Sequence, residues 1–237
     1  MRKTPTFGID APGLVLGFAI GGPVLLIASC AGFLAPIQPL VWTMRYTGLI
    51  LAVEALLMTL SSLYGKPRLL RRVVAAMALR GDEQVLDVGC GRGMLLLETA
   101  ARLPRGRATG IDLWSTRDQS GNAADATRRN AELTGLASRI QIDTGDMRRL
   151  PYPDASFDAV VSSLAIHNLP TGTDREQAVR EIARVLKPGG RVALLDFRHT
   201  ADYVRSLRAS GLADARRHGP YFLMFPWVWI VRGSKQT

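Results

Sequence analysis

The hydropathy pattern divides the chain into an unbroken apolar beginning and an alternating remainder. From Ala11 to Met44, 34 consecutive positions carry no Asp, Glu, Lys or Arg. A bilayer core needs about 20 apolar helical residues. Gly13 to Leu34 supplies them ahead of Pro36 and Pro39, which suit a turn. A second run, Tyr46 to Tyr64, holds one charge, Glu54. The pattern predicts a helical hairpin in region 1–64, with spans near 13–35 and 45–64. A signal peptide has a shorter apolar stretch, about 7–15 residues. A pair of buried soluble helices needs polar faces, and the first run has none. A hairpin dipping into one leaflet is the remaining alternative.

The flanking cations orient the hairpin. Arg2 and Lys3 precede the first span, Lys66, Arg68, Arg71 and Arg72 follow the second, and the connecting stretch has Arg45. The positive-inside rule places both ends, and so the rest of the chain, on the cytoplasmic face. Gly13, Gly17 and Gly21 recur on one helix face, where a partner helix, within the hairpin or in a second chain, approaches closely. A homodimer is one such arrangement. Glu54 is costly in hydrocarbon and needs a partner. A hydrogen bond to the first span or to Arg45 is the simpler role; a contact to a substrate arriving from the membrane is the functional one.

From residue 65 to 237 the pattern alternates. Helical stretches at 67–80, 92–103, 121–135, 173–187 and 200–211 interleave with short apolar runs at 84–89, 107–112, 139–143, 157–162 and 190–196. The tail, 214–233, reads as two closing strands. Alternating helix and buried strand is the signature of an α/β sandwich with a mostly parallel sheet. This region is long enough for a good core.

Composition narrows the classes. Hydrophobic residues make up 47% of the 237 positions, which excludes a disordered chain, and two cysteines exclude a disulfide scaffold. The net charge is +10. Arg68, Arg71, Arg72, Arg128, Arg129, Arg148, Arg149, Arg216 and Arg217 suit nucleic acid or an anionic leaflet, and the adjacent hairpin makes the leaflet the more economical partner. The three histidines, at 167, 199 and 218, are scattered, and no Cys/His cluster suggests a metal site.

The candidate chemistry begins at the first strand. Gln84-Val85-Leu86-Asp87-Val88 meets Gly89-Cys90-Gly91-Arg92-Gly93 and then a helix. In open α/β sheets the ligand lies beyond the carboxyl ends of the strands, at such a loop. The spacing is not the dinucleotide G-x-G-x-x-G. It is D-x-G-x-G-x-G, and an acid two residues ahead suits a cation or amine rather than a phosphate. S-adenosylmethionine has a sulfonium, an ammonium and no phosphate. The second strand ends at Asp112, where a carboxylate accepts ribose hydroxyls, with Leu113 beside it. The third leads to Thr144-Gly145-Asp146-Met147, where Asp146 suits an adenine amine and Met147 its ring. Any one of these acids alone is equally a cap or turn residue. Acids ending three successive strands beside a glycine loop favour a cofactor site.

Asp87-Val-Gly-Cys-Gly-Arg-Gly93, Gly110-Ile-Asp112, Gly145-Asp-Met147, Phe157-Asp-Ala-Val-Val-Ser-Ser163 and Leu186-Lys-Pro-Gly-Gly190 resemble, in order, the motifs of class I S-adenosylmethionine-dependent methyltransferases. The nearest group is the type 11 small-molecule one, which includes quinone and sterol C-methyltransferases. The resemblance covers roughly residues 70–200 of this sequence. It implies a Rossmann-like, seven-stranded sheet with the last strand antiparallel. It also implies that Gly89, Cys90, Gly91 and Gly93 approach the cofactor, that Asp112 holds its ribose, and that Asp146 and Met147 frame its adenine. The hairpin is not part of the usual family domain.

Methyl transfer is a displacement that the enzyme mostly aligns and dries. The fourth strand leads into Ser162-Ser163-Leu164-Ala165-Ile166-His167-Asn168-Leu169, the segment that flanks the methyl group in this fold. Ser163 borders the cofactor there. His167 is the candidate base and Asn168 a candidate orienting group. The long loop from Trp114 to Asn122 is a candidate lid, with Trp114 and Asn122 toward the acceptor. The Asn/Asp-Pro-Pro-Tyr and Pro-Cys signatures of nucleic-acid methylation are absent. The expectation is a membrane-anchored methyltransferase using S-adenosylmethionine on a small, lipophilic acceptor. The alternatives are a non-catalytic cofactor-binding module and a nucleic-acid methyltransferase.

Overall fold

A computed structural model of the 237-residue chain describes residues 4–31, 37–115 and 119–236. Arg2, Lys3, the end of the first predicted span and Thr116, Arg117 and Asp118 lie outside those residues. Two helices come first. α1 runs Pro12–Ala28 and α2 Gln38–Leu60. They pack on each other, and their outer faces leave Leu16, Ile20 and Ile27 of α1 and Leu49, Ile50 and Leu56 of α2 exposed.

The close approach is not made by the predicted stripe. Gly13 and Gly17 have no neighbour where a side chain would project, and Gly21 meets only Leu51. The helices touch at Gly22 and Gly48 instead. A Cβ on either would lie 2.8 Å from the other's carbonyl oxygen. The predicted partners of Glu54 are also absent. Arg45 reaches Ser29 Oγ at 3.4 Å and stacks over Trp42, and Glu54 has no polar partner among the described residues.

α2 does not stop near residue 64. It passes through a π-helical turn, Ser61–Gly65, into α3, Lys66–Ala75. The 38 residues from Gln38 to Ala75 are one continuous helix, and it is the one described helix long and apolar enough to cross a membrane. α1, at 17 residues, is shorter than that. The proposed boundary at 64/65 therefore falls inside a helix whose far end, with Leu69, Leu70, Val73 and Val74, is buried in the following domain.

That domain contains β1 Gln84–Val88, α4 Met94–Ala100, β2 Arg107–Asp112, α5 Ala124–Thr134, β3 Ile140–Thr144, β4 Phe157–Ser163, α6 Gly172–Val185, β5 Leu186–Asp196, α7 Thr200–Ala209, β6 Arg216–Tyr221 and β7 Val228–Ser234. The seven strands form one sheet in the order β3-β2-β1-β4-β5-β7-β6. β1 pairs in parallel with β2 and β4, and β7 runs antiparallel to β5 and β6.

Side chains alternate across the sheet with period two. Ala159, Val161, Ala193 and Leu195 join α3 and α4 on one face. Val160, Val192 and Leu194 join α6 and α7 on the other. Both faces are covered, as a parallel sheet requires. The strand order reverses between β1 and β4, so the crevice at their carboxyl ends is where a ligand fits.

Candidate active site

Asp87 is the last acid of β1 and is fully buried, and neither carboxylate oxygen has a hydrogen-bond partner among the described residues. Burial, and then the neighbouring charge of Asp112, push its pKa up to about 8. Just beyond it the backbone turns at Gly89 and Gly91, both with positive φ, which favours glycine. A Cβ at Gly89 would collide with Ala165, and one at Gly91 would lie 2.5 Å from Gln119 Oε1.

Asp112 ties the end of β2 to this loop. It accepts from the backbone N–H of Gly91 (2.9 Å) and of Trp114 (2.6 Å), and from Asn122 Nδ2 (3.2 Å). From α5, Thr127 Oγ1 donates to the Gly91 carbonyl at 2.7 Å. Cys90 is buried. Its thiol is raised well above the ordinary range by burial and by Asp87 and Asp112, so it is no nucleophile.

These elements enclose a cavity of about 210 Å³. Of the residues singled out from sequence, Asp87, Gly89, Cys90, Gly91, Asp112, Leu113, Asn122, Met147, Ser163 and Asn168 line it. Five do not. At Gly93 a side chain would meet Thr127 of α5, away from the cavity. Asp146 is clasped by Arg148, whose Nε and terminal nitrogen reach it at 2.6–3.1 Å and which also bonds Asp174. That guanidinium holds the Asp146 carboxyl below its usual range. Trp114 turns its indole N–H to Thr144 Oγ1 at 2.8 Å. Glu54 lies about 18 Å along the helix from Lys66, at 1.5 Å per residue. His167 points away: its Nδ1 is 2.8 Å from Asp196 Oδ1, and its ring meets Phe197 edge-on at 4.5 Å. Asp196 is itself buried and also accepts from Tyr203 Oη at 3.1 Å.

The remaining wall was not anticipated. Asp10 and Lys66 line the cavity and form an ion pair at 2.7 Å, with Lys66 buried. Ser62, in the π turn, exchanges hydrogen bonds with Asp10. Residues 6–10 form a strap over the glycine loop. Asn130 bonds both the N–H and the carbonyl of Thr6, and Gln119 bridges the Arg92 N–H and the Phe7 carbonyl. One signal was present in the sequence: Asp10 is the lone acid ahead of Glu54, beside a long apolar run.

The basic residues are dispersed. Arg71 pairs with Glu98, Arg128 with Asp125 and Arg148 with Asp146 and Asp174, and Arg217 lies over Trp229. No group of three or more metal-ligating side chains is found among the described residues.

The cavity fits S-adenosylmethionine on three observations. An unpartnered buried carboxylate in the lining suits a positively charged group, a buried ammonium stands in the same wall, and the glycine backbone leaves room for close approach.

Comparison with known proteins agrees. Residues 86–194 match the family described as Methyltransferase domain. A 27-O-demethylrifamycin SV methyltransferase of Amycolatopsis mediterranei is 36% identical over 133 residues, covering 55% of this chain and 44% of the relative. A demethylmenaquinone methyltransferase of Deinococcus radiodurans is 39% identical over 128 residues, covering 54% and 48%. The chain thus spans somewhat under half the length of these relatives. The crystal structure of the [4+2]-cyclase SpnF superimposes with a TM-score of 0.59 at 23% identity, covering 72% of this chain and 81% of that one, which shows a shared fold. Fold, glycine loop and family match converge on residues 86–194, which match a methyltransferase domain and lie in a Rossmann-like, seven-stranded sheet.

Proposed function

We propose that this protein transfers a methyl group from S-adenosylmethionine to a small, lipophilic acceptor delivered from a membrane in which its helical hairpin is anchored, with the methyltransferase domain on the cytoplasmic face. One observation carries this reading. The wall of the cofactor cavity is built by the two segments that flank the hairpin, through Asp10 on one side and Lys66 and Leu70 on the other. The relatives named for demethylmenaquinone and for an O-demethylated rifamycin support a small organic acceptor.

The bound cofactor supplies an electrophilic methyl on its sulfonium. The protein's part is to bind, orient and exclude water. In this reading Asp87 and Lys66 offer opposite charges to the cofactor's ammonium and carboxylate. Asp112 and Asn122 face its ribose, and Leu113 and Met147 its adenine. Ser163 borders the cofactor and Asn168, in the segment after β4, the acceptor. No histidine lines the cavity among the described residues; its titratable lining includes Asp10, Lys66, Asp87 and Asp112.

The test is transfer of tritiated methyl from S-adenosylmethionine by the full chain in detergent. Extracted membrane lipids, soluble metabolites and nucleic acid are offered separately. Label in the lipid extract is the expected result. Label in nucleic acid alone contradicts the acceptor class, and cofactor binding without label in any fraction marks a non-catalytic module.

A further inference from the structure

The turn joining β6 to β7 leaves two aromatic rings outside. Phe222 is 76% exposed and Trp227 49%, and the rings meet edge to face with centroids 6.0 Å apart. Two large aromatic side chains are thus left substantially in contact with solvent at one turn.

The turn is nonetheless pinned. Phe225 N–H donates to Ser61 Oγ at 2.9 Å. The Leu223 carbonyl occupies the space beside Gly65, where any Cβ would collide with it. The turn therefore sits at the foot of α2, facing a groove of about 380 Å³ lined by Leu57, Leu60, Tyr64, Arg68, Phe222 and Phe225.

Along the helix axis the exposed side chains change in order. Val53, Leu56 and Leu60 come first, then Tyr64 level with the turn, then the cations. Arg68 stacks over Tyr64 with its guanidinium 5.8 Å from the ring centre, and exposed Arg72 has no polar partner among the described residues. Apolar, then aromatic, then cationic is the profile of a segment leaving hydrocarbon through an anionic headgroup layer.

We infer that the β6–β7 turn is a second membrane contact: Phe222 and Trp227 enter the interfacial layer of an anionic leaflet while Arg68 and Arg72 meet its phosphates. This rests on α2 lying in a membrane. The continuous α2–α3 helix gives the domain one attachment; a second point beside it fixes the domain's tilt over the leaflet.

Spin-label depth measurement tests this on the full chain with Cys30→Ser, in vesicles of phosphatidylcholine and phosphatidylglycerol. Labels are placed singly through Phe222→Cys, Trp227→Cys, Ile50→Cys on α2 and Arg129→Cys on α5, and each variant is checked for retained S-adenosylmethionine binding. The ratio of oxygen to nickel-chelate collisions should be highest at 50, several-fold above the 129 value at 222 and 227, and lowest at 129. Water-like ratios at 222 and 227 with a hydrocarbon ratio at 50 overturn the second contact and leave the anchor standing. A water-like ratio at 50 overturns the anchor itself. Spin–spin broadening between 222 labels, abolished by dilution with unlabelled chain, shows that a second copy covers the patch and also overturns it.

Discussion

Asp10, ahead of the first apolar helix, and Lys66, directly after the second, meet at 2.7 Å in the wall of the cofactor cavity. The hairpin thus begins and ends at the site, and the ion pair is the clasp that closes it.

The clasp is asymmetric, because Lys66 is buried and Asp10 is about a quarter exposed. Removing the carboxylate strands a buried cation, whereas removing the cation leaves a carboxylate that reaches water. Asp10→Asn is expected to lower stability by about 2–3 kcal/mol, and Lys66→Met by under about 1 kcal/mol. Lys66→Met should still weaken S-adenosylmethionine binding about tenfold, the loss of one charge-assisted contact. Chemical denaturation and calorimetry check both. Equal destabilisation by the two variants would contradict the asymmetry.

Asp87 gives a pH signature. Its folded-state pKa is raised to about 8, while an unfolded chain releases that proton near pH 4. Between those values the folded state binds more protons, so this group's contribution to stability falls as pH rises from about 4 to 8 and is level above. Asp87→Asn should flatten that slope in cofactor-free protein. A cationic ligand group beside Asp87 favours its ionised form, so binding at pH 7 should release a proton and give heats that differ between phosphate and Tris buffers. Buffer-independent heats in the unsubstituted protein would contradict the assignment.

The hairpin contact is testable against the glycine stripe. Gly22→Val or Gly48→Val drives a side chain into the facing backbone and should cost several-fold in resistance to detergent unfolding. Gly13→Ala and Gly17→Ala meet open space and should change little. The reverse result would place an unseen partner, such as a second chain, on the stripe.

His167 and Asn168 should behave differently. Asn168 lines the cavity, so Asn168→Ala should reduce kcat/KM about tenfold. His167 is held by Asp196 outside it, so His167→Asn should lower stability more than turnover and leave the pH–rate profile unchanged in shape. Loss of a pH limb near neutrality in His167→Asn would make the histidine the base.

Much of the fold was legible because its causes are local. The short apolar runs at 157–162 and 190–196 and the glycine turn after Val88 declare themselves in sequence, and each helix stretch predicted beyond residue 65 is present. What was not legible depends on distance or direction. The apolar pattern ended the second span near residue 64, yet a π turn over Ser61–Gly65 carries the helix through into α3. Asp10 and Lys66 stand 56 residues apart, and only the closed hairpin joins them. Sequence placed His167 and Asp146 at strand ends but could not show their side chains captured by Asp196 and Arg148.

Whether the cavity takes S-adenosylmethionine is measured most directly by titrating the full chain, in detergent and shown to be folded, with the cofactor in a calorimeter. The expected result is saturable binding at one site per chain, lost when Gly91→Val strains the positive-φ turn and drives Gln119 out of its place in the cavity wall. Folded protein that gives no binding heat, or a Gly91→Val variant that binds as well as the original, would contradict the assignment.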